Sequence, residues 1–380
     1  MEIGMFVTAR DGKARNSGTL LYDPTKPFNE QTREIIKATH PQEGPFVVKP
    51  DGKRFRIERD SQYWSRYSEA SAVDGIGTKG FLHYRMGTQK EGAKDVFAMV
   101  ADDLAESGRV IIPQMIDHII MQREDHAKIF GIVQGLADLG KEHAWKAEDG
   151  KAYPVAIVAG ETAILSTVQG FEVGLVMTGF VRKGHEITTD IGKGDAIIGL
   201  ASNGVHSNGL SFFRRELFEK RGLDLDYNLP WGTTIGEELT KPTTIYLSGI
   251  RDLLEEMKVD GAPANMYVHG MVHITGGGLS KLKELINGRD DVDIKISKSH
   301  SLEPHEIFKY AHREFKPSQE EMYTWFNSGI GYVVVVHKTV VGEALAILNR
   351  HFKADVIGSV TEGTGRVRIN SMYENSELVL

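Results

Sequence analysis

Strand-length apolar runs in this chain break at glycine clusters and resume with helical periodicity, an alternation that makes α/β the expected fold class. Ser71–Val73 leads into Gly75, Gly77 and Gly80. Ala196–Leu200 passes through Ser202–Gly209 into a helical pattern at Leu210–Arg221, and Val272–Thr275 meets Gly276-Gly277-Gly278 ahead of Leu279–Ile286. The chain holds 41 glycines but 12 prolines, so the excess is not low complexity. Glycine loops of this kind let backbone N–H groups approach an anion closely.

The remaining pattern extends the same texture. It predicts a short helix at Gln31–Ala38, an exposed strand around Phe55 and Ile57, and a helix at Asp95–Ser107 closed by Gly108. A strand at Val110–Ile116 is followed by a helix carrying Ile129, Ile132, Val133, Leu136 and Leu139 on one face. Val155–Ala159 and Val173–Val181 read as buried strands, Gly331–Val336 as a strand, Val340–His351 as a helix and Val356–Val360 as a closing strand. Residues 11–29 are polar and turn-rich. The polar stretch Arg182–Gly194 divides the chain into two α/β halves, 1–182 and 183–380.

Composition removes several function classes. With 52 acidic and 45 basic residues the net charge is −7, which argues against a nucleic-acid partner. Cysteine is absent, so disulfides, thiolate zinc sites, iron–sulfur clusters and a cysteine nucleophile are excluded. No apolar stretch approaches the roughly 18 residues of a membrane span. The opening Met1–Phe6 lacks signal-peptide character, and a cytoplasmic protein is expected. The P-loop, H-E-x-x-H and G-x-S-x-G patterns do not occur.

Several clusters carry candidate chemistry. Asp74-Gly75-Ile76-Gly77-Thr78-Lys79-Gly80 contains G-x-G-x-x-G, but Gly87 cuts short the helix a dinucleotide site needs, and Asp74 would repel a pyrophosphate. An aspartate beside a lysine suits Mg²⁺ and a phosphate oxygen instead. Within the next helix, Val96, Phe97, Met99, Val100 and Leu104 form a stripe into which Asp103 falls, with Asp102 at its edge; a carboxylate on a core face calls for a partner or a cation. Glu161, in Ala159-Gly160-Glu161-Thr162 after a strand, is a further candidate cation ligand. Ser207, Asn208 and Gly209 sit at a helix start suited to an anion, with His206 beside them as a candidate phosphate donor or proton shuttle. Thr275 and Gly276–Gly278 repeat the design, since a tight turn needs fewer than three glycines. Asn327 is the only ligand candidate in Glu321–Gly331.

Taken in order, Asp74–Lys79, Asp95–Leu104, Ala159–Thr162, Ser202–Gly209, Lys241-Pro242-Thr243-Thr244-Ile245-Tyr246, His273–Gly278 and Glu321–Gly331 resemble one family, aminoimidazole ribonucleotide (AIR) synthetase, the phosphoribosylformylglycinamidine cyclo-ligases. The resemblance runs from about residue 70 to the C-terminus. It implies a two-domain α/β fold, an N-terminal sheet pairing with a second subunit in a homodimer, and ATP-dependent closure of an imidazole ring on formylglycinamidine ribonucleotide. It implies Mg²⁺ on Asp74, Asp103 and Glu161, and catalytic roles for Lys79, Asp103 and His206. It further implies ATP or phosphate contacts from Gly75, Gly77, Thr78, Lys79, Thr162, Ser207, Asn208, Gly209, Thr275, Gly276, Gly277, Gly278 and Asn327. The chain departs from the family pattern in carrying Asp102-Asp103 for Asn-Asp and Ala163-Ile164-Leu165-Ser166 for a Glu-Met-Pro run. No glycine-rich loop precedes Asp74, and only Lys37 stands near the place of an N-terminal ATP lysine.

Overall fold

The computed structural model describes residues 27–51, 54–257 and 261–380; most of the polar stretch 11–29 lies outside them. A helix α1 (Pro27–Lys37) and an antiparallel hairpin of β1 (Phe46–Asp51) and β2 (Arg54–Arg59) precede the first large sheet. That sheet contains β3 (Tyr67–Gly75), β4 (Ile111–Met121), β5 (Ala156–Ile164) and β6 (Phe171–Arg182), in the order β3-β6-β4-β5. Only the β4/β5 pair is parallel. Side chains alternate between its faces. Ala70, Ala72, Val173, Leu175, Met177, Met115 and Ile119 turn inward to a common core. Val73, Val176, Ile116 and Ala159 lie in one cross-strand row on the other face.

Helices α2 (Thr78–Met86), α3 (Gln89–Ala105) and α4 (His126–Glu142) cover the inner face. Gly87 adopts a left-handed conformation with φ of 73° and ends α2, as its position predicts. Helix α3 starts earlier than its apolar pattern suggests and is buried around most of its circumference, because it packs against β3, β6, α4 and a later helix, α5 (Leu247–Glu256). The apolar stripe therefore does not identify its solvent side: Asp102 is fully buried, whereas Asp103 is partly open.

The second large sheet comprises β7 (Ala196–Ala201), β8 (Val268–His273), β9 (Val292–Ile296), β10 (Ile330–Val336), β11 (Ala354–Glu362), β12 (Val367–Asn370) and β13 (Glu377–Val379), in the order β8-β10-β7-β11-β9-β12-β13. Every residue of β10, Ile-Gly-Tyr-Val-Val-Val-Val, is buried, as expected of a β-branched run with both faces covered. Val334 and Val336 share a core with Val100 and Leu104 of α3 and Ile250 and Leu253 of α5, so the two sheets are joined through one apolar interior. Two expected helices are broken. Leu210–Phe213 passes into a π-helix at Arg214–Glu219, and Gly278–Leu282 is a 3-10 turn before the single α turn Lys283–Ile286. Among the described residues no helix is long and apolar enough to cross a membrane.

Candidate active site

The end of β3, one face of α3 and the loop after β8 bring together Asp74, Asp103, Glu106, His273, Thr275 and Lys281. Asp103 Oδ1 lies 3.0 Å from His273 Nδ1, and the His273 backbone N–H donates to Glu106 Oε1 at 2.7 Å. Lys281 Nζ donates to Thr275 Oγ1 at 3.0 Å. Burial pushes the Asp74 carboxyl up from its ordinary value; the Gly75 N–H opposes this, the Asp103 charge adds to it, and His273 and Lys281 pull back. Burial likewise raises Glu106 to about 8, and it lowers His273, which is fully enclosed. The site thus sets three carboxyl groups, Asp74, Asp103 and Glu106, around one lysine, Lys281.

The glycine loop lies beside this cluster. Gly277 and Gly278 have φ of 105° and 53°, and a Cβ on Gly278 would fall 2.5 Å from the Tyr323 and Phe326 carbonyl oxygens. Those two glycines are therefore required by the backbone itself. Gly276 is exposed with open space where its side chain would be, so it is the glycine free to let an anion approach.

A second layer underlies the cluster. Lys79, fully buried, donates to Asp95 Oδ1 at 2.6 Å and to the Lys241 carbonyl. Asp95 also accepts from the Thr243 N–H and hydroxyl and sits 2.7 Å from His83 Nε2. Burial alone would raise Asp95, but Lys79 and His83 outweigh it and hold the carboxylate ionised. The expected phosphate contact from Lys79 is corrected here: its ammonium is committed to a buried ion pair.

Other candidates are also relocated. Glu161 lies inside β5, not in a loop after it, and is registered against His118 on the outer face. Asp74 lies in the inner-face row with Leu175, Asp117 and Gly160. Sheet alternation thus separates Glu161 from Asp74 and Asp103, while burial raises the inner-face Asp117 carboxyl to about 7. Among the described residues no group of three or more acidic or histidine side chains is placed to hold a metal. Thr162 is registered against Ile119 on the same edge strand. Gly77 N–H donates to Glu172 Oε1 at 3.1 Å, and a Cβ on Gly75 would meet that same oxygen at 2.7 Å, so an internal carboxylate fills the place proposed for a phosphate; Thr78 begins α2 beside it.

His206 is buried and neutral, its Nε2 accepting from the Asn203 and Thr244 N–H groups at 3.3 and 3.4 Å. It ties two loops together and is not placed as a proton shuttle. Asn327 accepts from Ser202 Oγ and Gly329 N–H and donates to the Gly204 carbonyl, each at 2.9 Å; fully buried, it braces this loop and is not open to a ligand. Asn208 donates to the Ile274 carbonyl at 2.8 Å and thereby anchors the loop containing Ser207 and Gly209 beside the cluster. The sequence reading missed Glu106, one helical turn beyond Asp103, and Lys281, just past the glycines; their spacing from those marked residues was the available signal.

Comparison with known proteins places this arrangement. The family described as AIR synthase related protein matches at residues 64–181 by its N-terminal domain and at 192–370 by its C-terminal domain. A phosphoribosylformylglycinamidine cyclo-ligase of Thermococcus gammatolerans is 37% identical over 299 residues, covering 78% of this chain and 80% of that protein. That of Pyrococcus furiosus is 34% identical over 304 residues, covering 80% and 82%. In structure, thiamine-monophosphate kinase from Stenotrophomonas maltophilia K279a superposes with a TM-score of 0.60 at 13% identity, covering 91% of this chain and 96% of that one. T. maritima PurL complexed with FGAR superposes with a TM-score of 0.53 at 20% identity, covering 93% of this chain and 50% of that one. These structures share the fold, and the sequence relatives carry the assignment: the chain belongs to the AIR synthase related family.

Proposed function

We propose that the chain catalyses the ATP-dependent cyclisation of formylglycinamidine ribonucleotide to aminoimidazole ribonucleotide in purine biosynthesis, as a cytoplasmic homodimer. One observation supports this most: in a chain whose relatives bear that enzyme's name, Asp74 and Asp103 from the first half meet Lys281, Thr275 and the open Gly276 from the second. Hydrogenase maturation protein HypE, which shares the fold, has been crystallised with ATP.

The reaction needs an amide oxygen turned into a leaving group. That oxygen takes the γ-phosphoryl of ATP, and the bond from that phosphorus to the bridging oxygen breaks to give ADP. An amidine nitrogen then attacks the formyl carbon, the carbon–oxygen bond breaks, and phosphate and a proton leave. Such transfers depend mainly on positioning and charge neutralisation. Asp74 and Asp103 would hold Mg²⁺, whose remaining positions suit water and phosphate oxygens, and the ion would supply charge neutralisation at the transferring group. His273 fixes the Asp103 carboxylate through Nδ1, and Lys281 with the Gly276 loop would receive phosphate oxygens. Pairs 1–182 and 183–380 are proposed as the two domains that supply these halves.

ADP formation dependent on formylglycinamidine ribonucleotide tests the reading. Asp103→Asn should lower kcat/KM for ATP by at least about 10²–10³-fold, since the contact serves nucleotide binding as well as the transferring group. ATP binding with no ADP formed in the presence of that ribonucleotide would instead leave a nucleotide-binding protein or an enzyme of another amide.

A further inference from the structure

Away from this site, where the start of β4 meets α5, a cavity of about 110 Å³ is lined by Arg109, Lys146, Arg251, Trp145, Asp252 and Glu255, among others. Its charges are not matched. Glu255 is held by Arg109 at 2.9 Å and Asp252 by His351 at 2.9 Å. Arg251 donates from Nε to the Val110 carbonyl and from Nη1 to the His143 carbonyl, but it has no carboxylate within ion-pair distance among the described residues. Its Nη2 is enclosed and has no hydrogen-bond partner there. Nor does Lys146, at the rim, have a carboxylate partner among the described residues.

An unpaired buried guanidinium is costly, and a buried donor without an acceptor adds to the cost. Burial and the neighbouring Arg109 charge draw the Arg251 guanidinium down to about 9. His143, also enclosed, has its Nδ1 on Ser248 Oγ at 2.9 Å and is held neutral by burial, so it offers no counter-charge. At about 30 Å³ per water, the cavity has room for a few waters or one small oxyanion.

We propose that this cavity is a binding site for a free tetrahedral oxyanion, inorganic phosphate, held by the two lining cations that have no carboxylate partner among the described residues, Arg251 and Lys146. The forked donors of arginine match phosphate oxygens, the lysine adds a point charge, and the carboxylates of Asp252 and Glu255 at the wall disfavour a larger polyanion. The site is separate from the candidate active site, and its test does not depend on turnover.

Thermal unfolding of the full chain in phosphate and in phosphate-free buffer of equal ionic strength checks the proposal. Saturating phosphate should raise the wild-type Tm by about 2–4 °C, as a ligand specific to the folded state does. Arg251→Met keeps the apolar stem but leaves the Val110 and His143 carbonyls without their donors, so it should lower Tm in both buffers, and lower it more in phosphate because most of the phosphate response is lost. Lys146→Ser changes an exposed side chain, cannot unfold the core, and should weaken apparent phosphate affinity several-fold. A full phosphate response in both variants would place the ion elsewhere and overturn the proposal. So would an Arg251→Met loss of Tm equal in both buffers, which marks a structural strut. A response to ribose 5-phosphate with none to inorganic phosphate would overturn the choice of a free ion.

Discussion

Asp102 and Asp103 are adjacent, yet their surroundings assign them opposite work. Asp102 is fully buried; its Oδ1 accepts from the Tyr246 and Leu247 N–H groups at 2.9 and 2.8 Å, where α5 begins, and its Oδ2 has no partner among the described residues. Burial drives its carboxyl well above the ordinary range, with Asp103 and Glu106 adding to the effect. The folded chain then retains a proton that the unfolded chain releases above about pH 4. Stability from this residue is greatest below that point and declines as pH rises towards the folded value. Asp102→Asn keeps the Oδ1 acceptor and removes the titration. Urea unfolding at pH 4.5 and 7.5 should show a smaller loss between the two pH values, with stability at pH 7.5 equal or higher; a loss above about 2 kcal/mol there would mean the charge itself is needed. Asp103 has a side chain one-third exposed (33%), and Asn at this position can still accept from His273. Asp103→Asn should therefore leave Tm nearly unchanged while Mg²⁺-dependent ATP binding, read by calorimetry, is lost.

At the scale of elements, the Lys79–Asp95 pair joins α2 to α3, and the Thr243 bonds extend it to the segment before α5. Breaking one half of a buried pair leaves the other charge uncompensated, at a cost of about 3–5 kcal/mol. Lys79→Met should lower unfolding free energy by about that much, measured in urea; loss of ATP affinity at unchanged stability would return the lysine to the phosphate. Sequence reading anticipated the strand and glycine part of this framework because alternation, β-branched runs and left-handed glycines act locally: β10 and the Gly87 stop were both legible. It placed Asp103 wrongly because α3 is enclosed on several sides, and no helical period reports which gap in that enclosure stays open. It ended β5 too early because Gly160 resembles a break. In the fold that glycine makes room for Asp117, whose Oδ2 would lie 2.6 Å from a Cβ, a reason visible only once β4 is beside it. Lys79 looked like a phosphate ligand since its partner Asp95 is 16 residues away and Lys241 another 146 beyond.

At the scale of the molecule, the outer face of the first sheet is the surface the proposed dimer must use. Val73, Val176, Ile116 and Ala159 run across all four strands of that face in register, with Val73 71% and Ile116 37% exposed. An apolar row in the middle of a solvent-facing sheet is unusual in a chain that acts alone. A twofold axis through the face would set the row against its own copy, since an isologous interface needs only one self-complementary patch. The neighbouring row on that face, Gly75, Gly174, His118 and Glu161, then borders the contact, which gives Glu161 a place in the assembly and not in the intrachain acidic cluster. Val73→Glu would bring two carboxylates together near the axis without touching the inner core. Sedimentation should show the wild-type chain at twice its 42.2 kDa mass and Val73→Glu at one mass, with the far-ultraviolet circular dichroism of the two alike. A wild-type chain that sediments singly at micromolar concentration would reject the pairing, and a Val73→Glu chain that stays double would move it to another surface.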